Sequence, residues 1–117
     1  MTPKVEFAPY FLKDLKRLKR KYSQVTDVVE ELVKALENGE QPGDKIPNVG
    51  YDVYKVRLKN PSAGRGKSGG FRVIYYVQLA DFVILVTIYS KSQQADFPIE
   101  RLRKVIDELQ NEDDSED

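Results

Sequence analysis

FRVIYYVQLADFVILVTIYS, residues 71–90, is the stretch whose reading decides the fold. Two runs, Phe71 to Val77 and Val83 to Ser90, are rich in β-branched and aromatic residues and flank a turn around Ala80-Asp81. That composition predicts two central strands. Just upstream, Val53 to Lys59 alternates, with Val53, Lys55, Arg57 and Lys59 on one face and Tyr54, Val56 and Leu58 on the other. A Gly/Ser-rich loop, Asn60 to Gly70, separates this strand from the pair.

Moving outward, Lys4 to Phe7 is a short extended candidate. Pro9 suits the first turn of a helix. Phe11, Leu12, Leu15, Leu18 and Tyr22 follow at three- and four-residue spacing and give that helix an apolar face. Ser23, Thr26 or Asp27 is placed to cap a second helix, with Val25, Val28, Val29, Leu32, Val33 and Leu36 as its stripe and Asn38-Gly39 as its end. Gln41 to Gly50 reads as a loop. Pro98 opens a last helix, with Ile99, Leu102, Ile106 and Leu109 on one side.

The predicted order is β-α-α-β-β-β-α. This is an α+β fold, an N-terminal helical hairpin packed on a mostly antiparallel sheet with a C-terminal helix, the helices gathered on one face. Residues 1–110 form one domain, and 111–117 form an acidic tail too polar to fold. That tail either keeps the chain soluble or folds back to shield a basic surface.

The 117 residues include no cysteine and no histidine. Disulfides, thiolate nucleophiles and Cys/His zinc sites are therefore excluded, and no metal or cofactor is expected. No apolar run approaches the ~20 residues of a membrane helix. No basic n-region precedes an apolar stretch at the N-terminus, so a cytoplasmic protein is expected. The formal net charge of zero hides an asymmetry. Seven of the 19 acidic residues lie between Asp107 and Asp117, where no basic residue occurs. Residues 1–106 thus carry 19 Lys/Arg against 12 Asp/Glu, a surplus of seven, as expected of a polyanion binder or of a soluble domain with scattered lysines.

Three segments carry candidate chemistry. Period-two spacing puts Lys55, Arg57 and Lys59 on one sheet face, and Arg72 joins them if its strand pairs in suitable register. Like charges repel across a sheet, so such a face makes sense if phosphates neutralise it. The segment Gly64-Arg65-Gly66-Lys67-Ser68-Gly69-Gly70 is not a P-loop. The first Walker glycine would fall on Pro61, and the segment leads into a strand. Arg65 and Lys67 instead suit a flexible basic loop reaching toward RNA, or the glycines simply serve turn geometry. At the end of the last strand, Lys91 can extend the cationic face. Tyr89 is either a core aromatic or a stacking platform for a base. The basic run of the first helix, including Lys16, Lys19 and Arg20, is either a solvated face or a grip on ribosomal RNA.

The segments Tyr54-Lys55-Val56-Arg57-Leu58, Gly70-Phe71-Arg72-Val73-Ile74-Tyr75-Tyr76 and Leu85-Val86-Thr87-Ile88-Tyr89-Ser90-Lys91 together resemble the core of RelE-superfamily toxins. The longer insert with Gly66-Lys67-Ser68-Gly69-Gly70 is similar to the HigB branch. The resemblance covers the whole order of elements and, in detail, Tyr51 to Ser92. It implies an endonuclease that enters the ribosomal A site and cuts mRNA. It also implies a cognate antitoxin, in the HigB branch usually a helix-turn-helix HigA-like protein. The family's paired basic positions fall on Lys55 and Arg57, a further cation on Lys59, the arginine after the Gly-aromatic pair on Arg72, and the last basic position on Lys91. Where RelE has a neighbouring arginine this chain has Ser92. It has no tyrosine beyond Tyr89, where RelE has a functional one, and no histidine, which some HigB toxins use.

Cleavage by such a site needs no metal. The 2′-oxygen attacks the adjacent phosphorus, a base takes its proton, cations stabilise the phosphorane, and an acid protonates the leaving 5′-oxygen. Lys55 or Lys59 is the candidate base, Arg57 and Arg72 the stabilising cations, and Lys91 or Lys67 the acid. Three other readings stand beside this one. The first is a ParE-like DNA gyrase inhibitor, a relative that generally lacks the cationic set. The second is a non-catalytic RNA- or ribosome-binding module. The third is a pure interaction protein.

Overall fold

The computed structural model describes residues 2–60, 70–92 and 97–114. Eight elements follow in chain order. These are β1 (Lys4–Phe7), α1 (Pro9–Lys21), α2 (Val25–Glu37), β2 (Asp44–Lys45), β3 (Val53–Leu58), β4 (Phe71–Leu79), β5 (Phe82–Ser90) and α3 (Ile99–Asp114). The five strands form one sheet in the order β1-β5-β4-β3-β2. Only the β1–β5 pair is parallel; the other three are antiparallel. The α+β class and the predicted element order hold, with one addition. The two-residue strand β2 lies inside the segment read as a loop, too short to carry an alternation.

β4 and β5 are buried along almost their whole length. A strand apolar on both sides needs cover on both faces. One face takes the α1–α2 hairpin. There Phe11, Leu18, Val29, Leu32 and Leu36 pack with Val56, Val73 and Leu85. The other face takes α3, whose Leu102, Val105 and Ile106 pack with Val53, Ile74, Tyr76 and Val86. The expectation of all helices on one face is thus corrected, and the doubly apolar strands are the reason. Polar contacts fix α3 in place. Arg103 Nε donates to the Val49 carbonyl at 3.1 Å, and its other nitrogen donates to the Asn48 carbonyl. Tyr51 donates to Asp107, and Gln110 to Tyr76. The helical backbone of α3 continues to Asp114, into the segment expected to form the tail.

The cap of α2 also departs from expectation. Gln24, not Ser23, Thr26 or Asp27, occupies the N-cap and gives no side-chain bond. Backbone turns do the work instead, with the Val25 amide donating to Tyr22 and the Asp27 amide to Gln24. The far end behaves as read: Asn38 caps α2, and Gly39 follows at φ +90°.

The β4–β5 register shifts at two places, Ile74/Tyr75 and Val77/Leu79, and the first decides where Tyr89 points. Ile74 pairs with Thr87 but Tyr75 pairs with Leu85, so Val86 is an extra residue, a β-bulge. Unbroken alternation from Val83 and Leu85 would carry Tyr89 to the hairpin face. The bulge shifts the phase, so Ile88 joins the hairpin cluster and Tyr89 turns to the α3 face.

Candidate RNA-binding site

One end of the sheet collects the C-termini of β3 and β5 and the N-terminus of β4. Gly70 sets this corner. Its φ is +83°, and a Cβ there would lie 2.7 Å from the Leu58 carbonyl oxygen. Glycine therefore lets the start of β4 close against the end of β3. The Gly70 carbonyl accepts the Lys91 amide at 3.1 Å, which ties the end of β5 to the same corner.

The register then lines up three side chains across neighbouring strands. Arg57 faces Arg72, and Arg72 faces Tyr89. Adjacent strands are about 4.8 Å apart, so the row crosses the sheet in roughly 10 Å. Arg57 is exposed, whereas Arg72 keeps only 7 % of its surface and is the buried charged side chain of the described residues. Among the described residues its hydrogen bond is a long one, 3.4 Å from Nη1 to the Phe71 carbonyl. Among the described residues no carboxylate lies within ion-pair distance of it. Burying a cation is costly unless it is paired.

The remaining candidates distribute around this row. Lys55 is half-buried two residues before Arg57 on the same face, between Ile74 and Asp44 in register. Lys59 is exposed just beyond β3, and Lys91 is half-buried just beyond β5. Lys16, Lys19 and Arg20 are exposed on α1, in the layer across the sheet, and do not join the row. Arg65, Lys67 and the insert that resembles the HigB branch lie outside the described residues. Tyr89 follows the core-aromatic reading, being buried in the α3 cluster, and it is aligned in register with Arg72.

Two polar groupings near the row escaped the sequence reading. In the first, Asp14 of α1 accepts Arg17 Nη2 at 2.8 Å on Oδ1 and the Thr87 hydroxyl at 2.6 Å on Oδ2. These side chains line a cavity of about 150 Å³ with Tyr10, Tyr89 and Arg101. Arg101 lies 4.9 Å over the Phe97 ring. The i,i+3 spacing of Asp14 and Arg17 was the only signal in the sequence, and it does not name β5 as the partner. In the second, Tyr22 packs edge-on against Phe71, with centroids 5.2 Å apart. Hydrogen bonds with Ser90 and then Ser92 lower its phenol below the usual range, helped by the charge of Lys21.

A larger cleft of about 690 Å³ lies at the other end of the sheet, among residues 45–52 and Tyr76 to Gln78. Lys45 there is held by Asp52 at 2.8 Å, so the cleft gathers no comparable row of cations. Among the described residues, no group of three acidic side chains comes together to hold a metal ion, and no helix is long and apolar enough to cross a membrane.

Comparison with known proteins places this architecture. No curated protein matches the sequence. The family profile described as ParE toxin of type II toxin-antitoxin system, parDE, matches residues 5–95, from β1 past the end of β5. That span contains all of the sheet but Lys4 and every residue of the cross-strand row, and the chain belongs to the ParE toxin family, the toxin half of a type II toxin-antitoxin pair.

Proposed function

We propose that this toxin is a ribosome-dependent mRNA endonuclease of the HigB-like kind, silenced by a helix-turn-helix antitoxin and acting in the cytoplasm. One observation carries the reading: Arg72 is buried with no carboxylate of the described residues within ion-pair distance, and it stands directly opposite a second arginine, Arg57. An RNA phosphate supplies the missing charge, and it binds guanidinium in the forked geometry that arginine favours.

The chemistry follows from the row. The 2′-oxygen forms a bond to phosphorus as the bond from phosphorus to the 5′-oxygen breaks. Arg72 and Arg57 stabilise the charge that builds on the phosphorane. Lys55, on their face, takes the 2′-proton, with Lys59 as the alternative base. Lys91, at the end of β5, gives a proton to the departing 5′-oxygen. The ribosome holds the mRNA in the geometry that the in-line attack requires.

The family profile favours a second reading, gyrase inhibition, because its name is that of the parDE toxin. Induced expression of the wild type beside Arg72→Ala separates the two. Growth arrest with new translation-dependent 5′ ends by primer extension, lost in the variant, supports the nuclease. Arrest without cuts, together with inhibited supercoiling by purified gyrase, establishes the other reading. No arrest at all leaves a binding module without catalysis.

A further inference from the structure

We propose that the notch between α1, the end of β5 and the start of α3 is a nucleobase pocket for single-stranded RNA, selective for bases that carry an amino group. The proposal deepens the RNA reading above and rests on it.

The fold creates the notch for a simple reason. β1 pairs with β5 only as far as Leu85, and the chain then turns through Ala8, whose amide donates to the Leu85 carbonyl, into α1. Beyond Leu85 the edge of β5 is flanked by a helix instead of a strand. Side chains, not backbone, therefore line that edge. The cavity of about 150 Å³ corresponds to the liquid volume of about five waters. This is room for one planar ring and too little for a helix or a folded peptide.

Its walls suit a base. Tyr10 stands 39 % exposed at the mouth, and Phe97 carries Arg101 over its ring. Aromatic faces and guanidinium planes are what unpaired bases stack upon. On the floor, Asp14 accepts one hydrogen bond on each oxygen. Each carboxylate oxygen has two lone pairs, so each retains acceptor capacity. A carboxylate accepts readily from the exocyclic amino group of cytosine, adenine or guanine. Uracil offers a single N–H flanked by two carbonyls, which the carboxylate repels. Arg17, 68 % exposed and paired to Asp14, offsets the carboxylate's charge at the rim.

The notch is also in the right place. Tyr89 lines it and belongs to the cross-strand row, one strand from Arg72. A strand of RNA with its phosphate at Arg72 therefore reaches the notch with a neighbouring nucleotide.

Fluorescence anisotropy with 2′-O-methyl tetranucleotides, which cannot be cleaved, tests the assignment on the full-length chain. Tetracytidylate is expected to bind about tenfold more tightly than tetrauridylate, the lower end of what one good base-edge contact provides. Asp14→Asn, whose amide can donate to a uracil carbonyl, is expected to bring the two within threefold while circular dichroism stays native. Arg101→Ala is expected to weaken both about fivefold. Equal binding of the two probes by the wild type overturns the proposal, as does a preference untouched by Asp14→Asn. If Asp14→Asn fails to fold, Arg101→Ala decides, because Arg101 holds no ion pair in the described structure, and unchanged binding then overturns the pocket. Failure of the nuclease reading looks different. A chain that cuts no mRNA yet prefers tetracytidylate keeps the pocket, and one that cuts mRNA but binds both probes alike loses it.

Discussion

Replacing Arg72 by methionine should make the protein more stable and inactive at once. Methionine fills a similar volume without charge. The substitution removes the cross-strand opposition of Arg57 and Arg72, about 0.2–1 kcal/mol for directly facing like charges. It also removes a cation kept at 7 % exposure with no described carboxylate beside it. Full burial of an ion costs several kcal/mol; at a strand end with Arg57 in solvent, about 1 kcal/mol is a conservative share. What is lost is one 3.4 Å hydrogen bond, too long to contribute much. The net expectation is a gain of about 1–2 kcal/mol, or a rise in Tm of about 4–10 °C for a domain of this size. Cleavage should fall about 10²–10³-fold, the usual cost of removing one stabilising group from a phosphorane or oxyanion. Thermal unfolding by circular dichroism and primer extension read the two effects separately. A loss of 1 kcal/mol or more in stability would refute the reasoning, because it would mean that Arg72 is compensated in the folded chain. Retained cleavage would refute the catalytic role.

The remaining expectations concern the scaffold. Gly43 sits at φ +92° and a Cβ there would lie 2.3 Å from the Lys55 carbonyl oxygen, whereas Gly39, at φ +90°, has nothing within 4 Å. Gly43→Ala should therefore cost clearly more than the ~1 kcal/mol expected of Gly39→Ala from backbone strain alone, with urea midpoints as the measure. Leu102→Ala, in the fully buried anchor of α3, should cost about 2–5 kcal/mol in the same assay. Tyr75 donates to the Pro42 carbonyl at 2.6 Å, and burial first, then the neighbouring Tyr54, pushes its phenol well above the usual range. Its folded pKa is raised, so above pH ~10 the unfolded chain loses a proton that the folded one keeps, and stability falls as pH rises. Tyr75→Phe should flatten that alkaline limb in pH-dependent urea unfolding, and an unchanged slope would assign the limb to other groups.

How much of this was legible in the sequence depends on what fixed each feature. β3 reads correctly because its alternation is local: Lys55 and Arg57 share a face whatever else the chain does. Arg72 joins them through register alone, which the sequence could state only as a condition. Tyr89 was undecidable for a sharper reason. Simple alternation assigns it to the hairpin face, and a single extra residue at Val86 reverses that. The face chosen by α3 was recoverable in principle, since β4 and β5 have no polar side to leave in water. The notch was not, because Asp14 and Thr87 are 73 residues apart and meet only where β1 stops short along β5.

That last point bears on why this fold suits a toxin. With the hairpin on one face and α3 on the other, β4 and β5 are covered on both sides. What remains is the corner where strands begin and end and the covering helices no longer meet. The corner still holds core side chains, Phe71 and Tyr89 among them, while Arg57, Lys59 and Lys91 on its rim keep contact with solvent. The same sheet can then present different corners to different targets, and membership of a toxin family fixes the scaffold more firmly than the target. The chemistry of the corner has to decide between ribosome and gyrase. Here the corner sets two arginines face to face beside an aromatic side chain, the arrangement on which the proposed phosphate contact rests.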